Sequence, residues 1–203
     1  MCKFMKIFCL TIVLSVCVFA QTNSDEYKKN EYFVGYSNQQ VDRGNFNTHH
    51  GFEGSYVRNV SRYFGIKGDV SGAYRKDSFN DSIVLFPGGT TTNFRSESKN
   101  SLYNFLGGVQ IKDNASKARL KPFGHALAGV AYNRSKYRTF INGAASQNFN
   151  SNQVGFAAAL GGGLDVRVND RFDIRAIQVD YNPVRNYGFF SNNFRLGFGI
   201  VFK

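Results

Sequence analysis

The chain has no tryptophan, and only three prolines and three cysteines in 203 residues. The cysteines, Cys2, Cys9 and Cys17, all fall within residues 1–20, as do both methionines. That opening stretch reads as an export signal. Lys3 and Lys6 form a basic start, Ile7 to Val16 is an apolar run too short to span a membrane, and Val18-Phe-Ala20 offers a cleavage position. With residues 1–20 removed before Gln21, the mature chain holds no thiol, which excludes a disulfide scaffold, a thiol nucleophile and a cysteine-based zinc site together. No later run approaches the roughly 18 apolar residues of a membrane-spanning helix. The missing tryptophan counts against an immunoglobulin-like sandwich, which buries one.

Acids are also scarce. The formal charge is +11, and the loss of Lys3 and Lys6 with the signal takes it to +9. A basic chain can mark a nucleic-acid partner, but that needs a clustered patch. Here Lys and Arg are scattered, many at predicted strand ends and in loops, where they can meet lipid phosphates. No nucleic-acid partner is expected.

What is present is alternation. From Asn193 to Lys203, Phe194, Leu196, Phe198, Ile200 and Phe202 fall on one side, and Arg195, Gly197, Gly199 and Val201 on the other. Successive side chains of a strand point to opposite faces, so this is a strand with one bulky apolar face and one small face. A lipid-facing outside and a narrow lumen suit that pattern, and roughly 9–11 tilted residues span a bilayer.

The same alternation recurs through the mature chain. After a polar segment at 21–30, strands are predicted at 31–39, 51–59, 64–75, 101–111, 120–134, 153–168, 172–182 and 193–203. Long polar connections follow strands one, three, five and seven, and short turns follow two, four and six, the arrangement of an up-and-down membrane barrel. On the third strand Lys67 and Asp69 are expected to face inward. If Val168 faces Phe172 across a turn, Arg167 meets Asp173 and Asp165 meets Arg175, all on the inner face. Charges in a narrow lumen need partners, so these are predicted as interior pairs. The seventh strand loses phase after Ala176, where a β-bulge would turn Gln178 and Asp180 inward together with Arg195 of the last strand.

Gly161-Gly-Gly-Leu-Asp-Val-Arg-Val-Asn-Asp170, Ile174-Arg-Ala-Ile-Gln-Val-Asp-Tyr181 and Leu196-Gly-Phe-Gly-Ile-Val-Phe202 resemble, with the signal and the eight strands, the small OmpA/OmpX-like outer-membrane β-barrels. The resemblance implies an all-β, eight-stranded antiparallel up-and-down transmembrane β-barrel over residues 31–203, in the bacterial outer membrane. It implies outer-membrane lipid and lipopolysaccharide as surroundings, and reading of Phe202 by the barrel-assembly machinery. Family members usually end on the aromatic residue, whereas here Lys203 follows it.

Chemistry is sparse. His49 and His50 are neighbours, so in a strand they cannot share one ion, and His125 is expected at the periplasmic end. No catalytic residue, metal site or cofactor is predicted. The expected role is structural or surface interaction, with a host or envelope protein met through four outer loops. Lys76 to Lys99 and Ser135 to Ser151 are the long ones, carrying Phe79, Phe86, Phe94, Tyr137, Phe140 and Phe149. A lipid-modifying enzyme, a small porin-like pore and a soluble lipocalin-like barrel with exchanged faces stay open as alternatives.

Overall fold

A computed structural model describes residues 27–42, 46–84, 89, 91–186 and 188–203. The predicted signal at 1–20, most of the segment 21–30, and Pro87 with Phe86 lie outside the described residues. Eight strands run β1 (Asn30–Asp42), β2 (Phe46–Asn59), β3 (Phe64–Val84), β4 (Thr91–Lys112), β5 (Leu120–Ile141), β6 (Ala144–Arg167), β7 (Phe172–Asn186) and β8 (Phe189–Phe202). Each pairs antiparallel with the next, and β8 returns to β1, closing the barrel.

The faces fall with the bulky apolar side chains outward. Along β8, Phe194, Leu196, Phe198, Ile200 and Phe202 are exposed, while Arg195 and Val201 are buried. Tyr32, Val34 and Tyr36 on β1, and Ile66, Val70 and Tyr74 on β3, continue this belt. A continuous apolar exterior around a polar interior is the arrangement that lipid requires and water penalises. A soluble ligand-binding barrel needs the opposite assignment of faces.

The small face makes room for what the lumen holds. A Cβ on Gly35 would lie 2.5 Å from the Phe33 ring, and one on Gly199 would lie 2.9 Å from it, so the two glycines leave the space that this ring occupies. In β7 the register shifts between Arg175 and Gln178, with Ala176 and Ile177 both facing out. That extra residue keeps Arg175 inward below it and Gln178 and Asp180 inward above it.

The connections at one end differ from the expected loops. β3 to β6 hold 21, 22, 22 and 24 residues, against 13 to 15 in the other four strands. Lys76 to Lys99 and Ser135 to Ser151 are therefore mostly strand. Beyond the bilayer both faces of a hairpin are wet, so the paired backbone continues without the apolar alternation that marks it below. Asn142 and Gly143 turn β5 into β6 with φ of 48° and 81°, the left-handed pair that a two-residue hairpin turn demands. Asn93 ties β4 to that tip: its N–H donates to Asn142 Oδ1, and its carbonyl accepts from Asn142 N–H, both at 2.9 Å. The four long strands thus rise as one wall.

Candidate functional site

Two regions concentrate chemistry: the filled lumen and the projecting wall.

The lower lumen is built around Arg175. Its Nε and Nη2 donate to Asp165 at 2.8 and 3.3 Å, and Nη1 donates to Gln178 at 2.7 Å. Its guanidinium carbon lies 4.3 Å from the Phe33 ring centre and 4.0 Å from that of Phe123. A weakly hydrated planar cation between two aromatic faces is well suited to a dry interior. Lys112 joins from β4, donating to Glu31 at 2.5 Å and to Asp165 at 3.2 Å.

Above this layer Arg195 is the hub. It donates to Asp69 and Asp180, each at 2.8 Å, and to Ser71 at 3.1 Å, with Glu53 Oε2 3.6 Å away. Gln178 bridges Glu53 and Asp180 at 2.7 and 2.8 Å. Lys67 lies 3.7 Å from Asp69 and 3.3 Å from His125 Nδ1, and His125 Nε2 lies 2.9 Å from Asp180. An ammonium on one ring nitrogen and a carboxylate on the other fit the tautomer with its proton on Nε2. Each charge is fully buried, so each depends on its partners; removing one from a buried set costs on the order of 3–5 kcal/mol.

Higher still the lumen turns from charged to neutral. Gln39 donates to Asn182 at 2.6 Å, and Asn182 donates to the Ala158 carbonyl at 2.6 Å. Val41, Leu102 and Val184 cap it as part of an apolar cluster whose other members, Leu106 opposite Asp69 and Leu127 two residues past His125, pack beside the charged layer.

Two sequence expectations are corrected. Arg167 sits opposite Asp173 in the backbone register, as Asp165 sits opposite Arg175. Yet the Arg167 side chain bonds Asp170 and the Lys117 carbonyl, and Asp173 is taken by Lys203 at 2.5 Å. Arg167, partly exposed at the last pair before the turn, reaches the nearer Asp170, while the buried Asp173 takes its cation from Lys203, just beyond β8. His125, expected at the periplasmic rim, lies inside the lumen network, because the turn ends at Arg119 and five residues of β5 precede it. Glu31, Glu53, Lys112 and the two aromatic rings were not foreseen. Their inward phase is readable in each strand, but their partners come from strands far apart in sequence.

On the outside, Phe202 is half-exposed and pairs with Tyr32 and Phe172 in neighbouring strands. Tyr74, Tyr103 and Tyr132 form a row on β3, β4 and β5, with ring centres 5.6 and 6.3 Å apart. Above it the wall carries exposed Phe79, Tyr137 and Phe149, and basic side chains. His49 faces inward and His50 outward, where it bonds Tyr36. Among the described residues no cluster of three His, Cys, Asp or Glu side chains could hold a metal ion.

No family model and no curated protein matches the sequence. Solved structures do. Ail, the attachment invasion locus protein of Yersinia pestis, matches at 16% identity over 85% of this chain and 97% of its own, with a TM-score of 0.57. Ail in complex with the heparin analogue sucrose octasulfate matches at 17% identity, over 86% of this chain and 100% of that one, with a TM-score of 0.54. Neisserial surface protein A matches at 13% identity, over 88% and 99%, with a TM-score of 0.53. At such identities the likeness speaks for the fold. With its closed ring of eight antiparallel strands, its outward apolar belt and its polar lumen, the chain has the fold of the small eight-stranded outer-membrane β-barrels.

Proposed function

We propose that the mature chain, starting at Gln21, is an outer-membrane barrel with a structural and surface-interaction role, exported by its signal and assembled through a terminal motif ending in Phe202. The wall of β3 to β6 carries this reading. A barrel that only seals a membrane has no use for strands of 21 to 24 residues, tied together at their tips and bearing exposed aromatics among cations. A rigid platform with amphipathic side chains suits recognition. The filled lumen favours this reading over a pore, and the histidines, divided between His125 in the lumen and His49 and His50 on opposite faces, favour it over hydrolysis. Outer-membrane lipid and lipopolysaccharide are the surroundings, the barrel-assembly machinery a transient partner, and a host or envelope surface the target of the wall.

Ail was solved with a heparin analogue, which makes immobilised heparin a reasonable probe of this basic wall. Shortening both hairpins, by replacing 78–97 and 138–148 with two-residue turns, should leave the heat-dependent mobility shift of a folded barrel in SDS gels. It should abolish adhesion of expressing cells to a heparin-coated surface. Full adhesion by cells displaying the shortened, still heat-modifiable protein would remove the wall from the function.

A further inference from the structure

The wall places like charges directly side by side. Lys76 on β3 pairs in register with Lys99 on β4, and Lys99 pairs with Lys136 on β5. No bulge interrupts these three strands between the apolar belt and this row. The three lysines therefore share the outward face with Tyr74, Tyr103 and Tyr132. Arg134, two residues below Lys136 on the same face, shares the next row down with Ser101 and Tyr74.

Directly opposed like charges on one sheet face destabilise it. Among the described residues no carboxylate comes within 4.0 Å of Lys76, Lys99 or Lys136, and Glu97, the acid of the adjoining row, bonds Arg95 at 2.7 Å. The fold sets no carboxylate against three lysines that stand in register on adjacent strands. The height of the row matters as well. Tyrosine belts mark the membrane–water interface. Lys76 lies two residues beyond Tyr74, and Lys99 and Lys136 lie four beyond Tyr103 and Tyr132. At about 3.3 Å per residue and a tilt near 40°, that is roughly 5 to 10 Å above the tyrosines, and long lysine stems reach back towards them. This is the depth of lipid headgroups.

We infer that Lys76, Lys99 and Lys136, with Arg134 beneath them, form a binding site for a phosphate-bearing lipid headgroup of the leaflet from which the hairpins rise. The inference rests on the membrane-barrel reading and gives the outer surface of the wall a partner of its own. Phosphate monoesters suit it, because several anionic oxygens on one group can each accept from a separate ammonium. The lipid then provides the counter-charge that the protein lacks, and holds the base of the wall at a fixed height over the bilayer.

The test compares the wild type with a ladder variant (Lys76→Gln, Lys99→Gln, Lys136→Gln) and a charge-matched control at the other end (Lys117→Gln, Arg119→Gln, Arg171→Gln). Each is folded in maltoside micelles, and its unfolding midpoint is followed with diphosphoryl lipid A, with a phosphate-free glycolipid, or with inorganic phosphate. In micelles alone the ladder variant should melt at or above the wild type, since only repulsion has been removed. Diphosphoryl lipid A should raise the wild type and the control by several degrees and leave the ladder variant unmoved. An equal rise in the ladder variant overturns the site, and so does a ladder variant that melts well below wild type in plain micelles. A full rise with inorganic phosphate alone overturns the lipid as the source. A wild type with no heat-shifted band would sink the membrane reading itself, an outcome distinct from a folded barrel indifferent to the ladder.

Discussion

At Arg175 a single side chain joins strands from all round the ring. Its carboxylate partner comes from β6, its rings from β1 and β5, and its amide partner from its own strand past the bulge. Arg175→Ala removes all of these at once and leaves Asp165 buried with Lys112 as its remaining cation. The unfolding midpoint in detergent should fall, by a loss on the order of 3–5 kcal/mol. Gly199→Ala attacks the same layer from the barrel wall, pushing a methyl group against the Val34 carbonyl and Gly35 Cα of β1 as well as the Phe33 ring, and should cost at least about 1–3 kcal/mol as overpacking. Urea titration of both variants in micelles checks the pair. A midpoint unchanged by Arg175→Ala would mean that the lower lumen admits enough water to solvate Asp165.

At the scale of elements, the strands that meet lipid were legible and those that meet water on both sides were not. Phe194 to Phe202 and Phe64 to Tyr74 announce their faces because lipid on one side forces period-two alternation. The bulge after Ala176 was legible for the same reason, as a break in that phase. Above Tyr103 the alternation ends although the strand does not. The usable signal there was Asn142-Gly143, a turn dipeptide that fixes the register of the hairpin by itself. Lys112 with Glu31, or Arg195 with Asp69, could not be read from one chain, since closure of the ring makes those pairs and separations of 81 and 126 residues carry no local pattern. The short turns also bind one another. Arg62, after β2, donates to Asp113, after β4, at 3.1 and 3.2 Å, and Asp113 accepts from the Ala115 and Ser116 amides. The Arg62 bond is the main cause holding the Asp113 carboxyl below its usual pKa. A depressed carboxyl contributes stability above its unfolded value, near 4, and loses it as pH falls through the folded value. Both side chains are partly exposed, so the contribution is under about 1 kcal/mol. Asp113→Asn should lower the midpoint slightly at pH 7 and leave it unchanged at pH 2, as thermal scans at the two pH values would show.

For the whole molecule, the order of layers along the axis decides whether the barrel can conduct. From the end bearing the short turns, the lumen passes an ion-paired layer centred on Arg175, a second centred on Arg195 with Leu127 beside it, an amide layer at Gln39 and Asn182, and an apolar cap that includes Val41, Leu102 and Val184. A permeating ion meets charges already bound to fixed partners and then side chains that cannot solvate it. Eight strands leave an interior just wide enough for such filling. Wild-type protein in planar bilayers should therefore pass no steady current. Shortening the cap alone (Leu102→Ala with Val184→Ala) should leave it closed, because both ion-paired layers still stand below. Adding Arg175→Ala to that pair leaves the Arg195 layer and the neutral amide layer and should give brief openings, seen as flickering current in protein that still shows the heat-dependent gel shift. Steady current through the wild type would mean that the buried pairs exchange partners on the timescale of conduction. It would move the reading towards a small pore, with the wall as its vestibule.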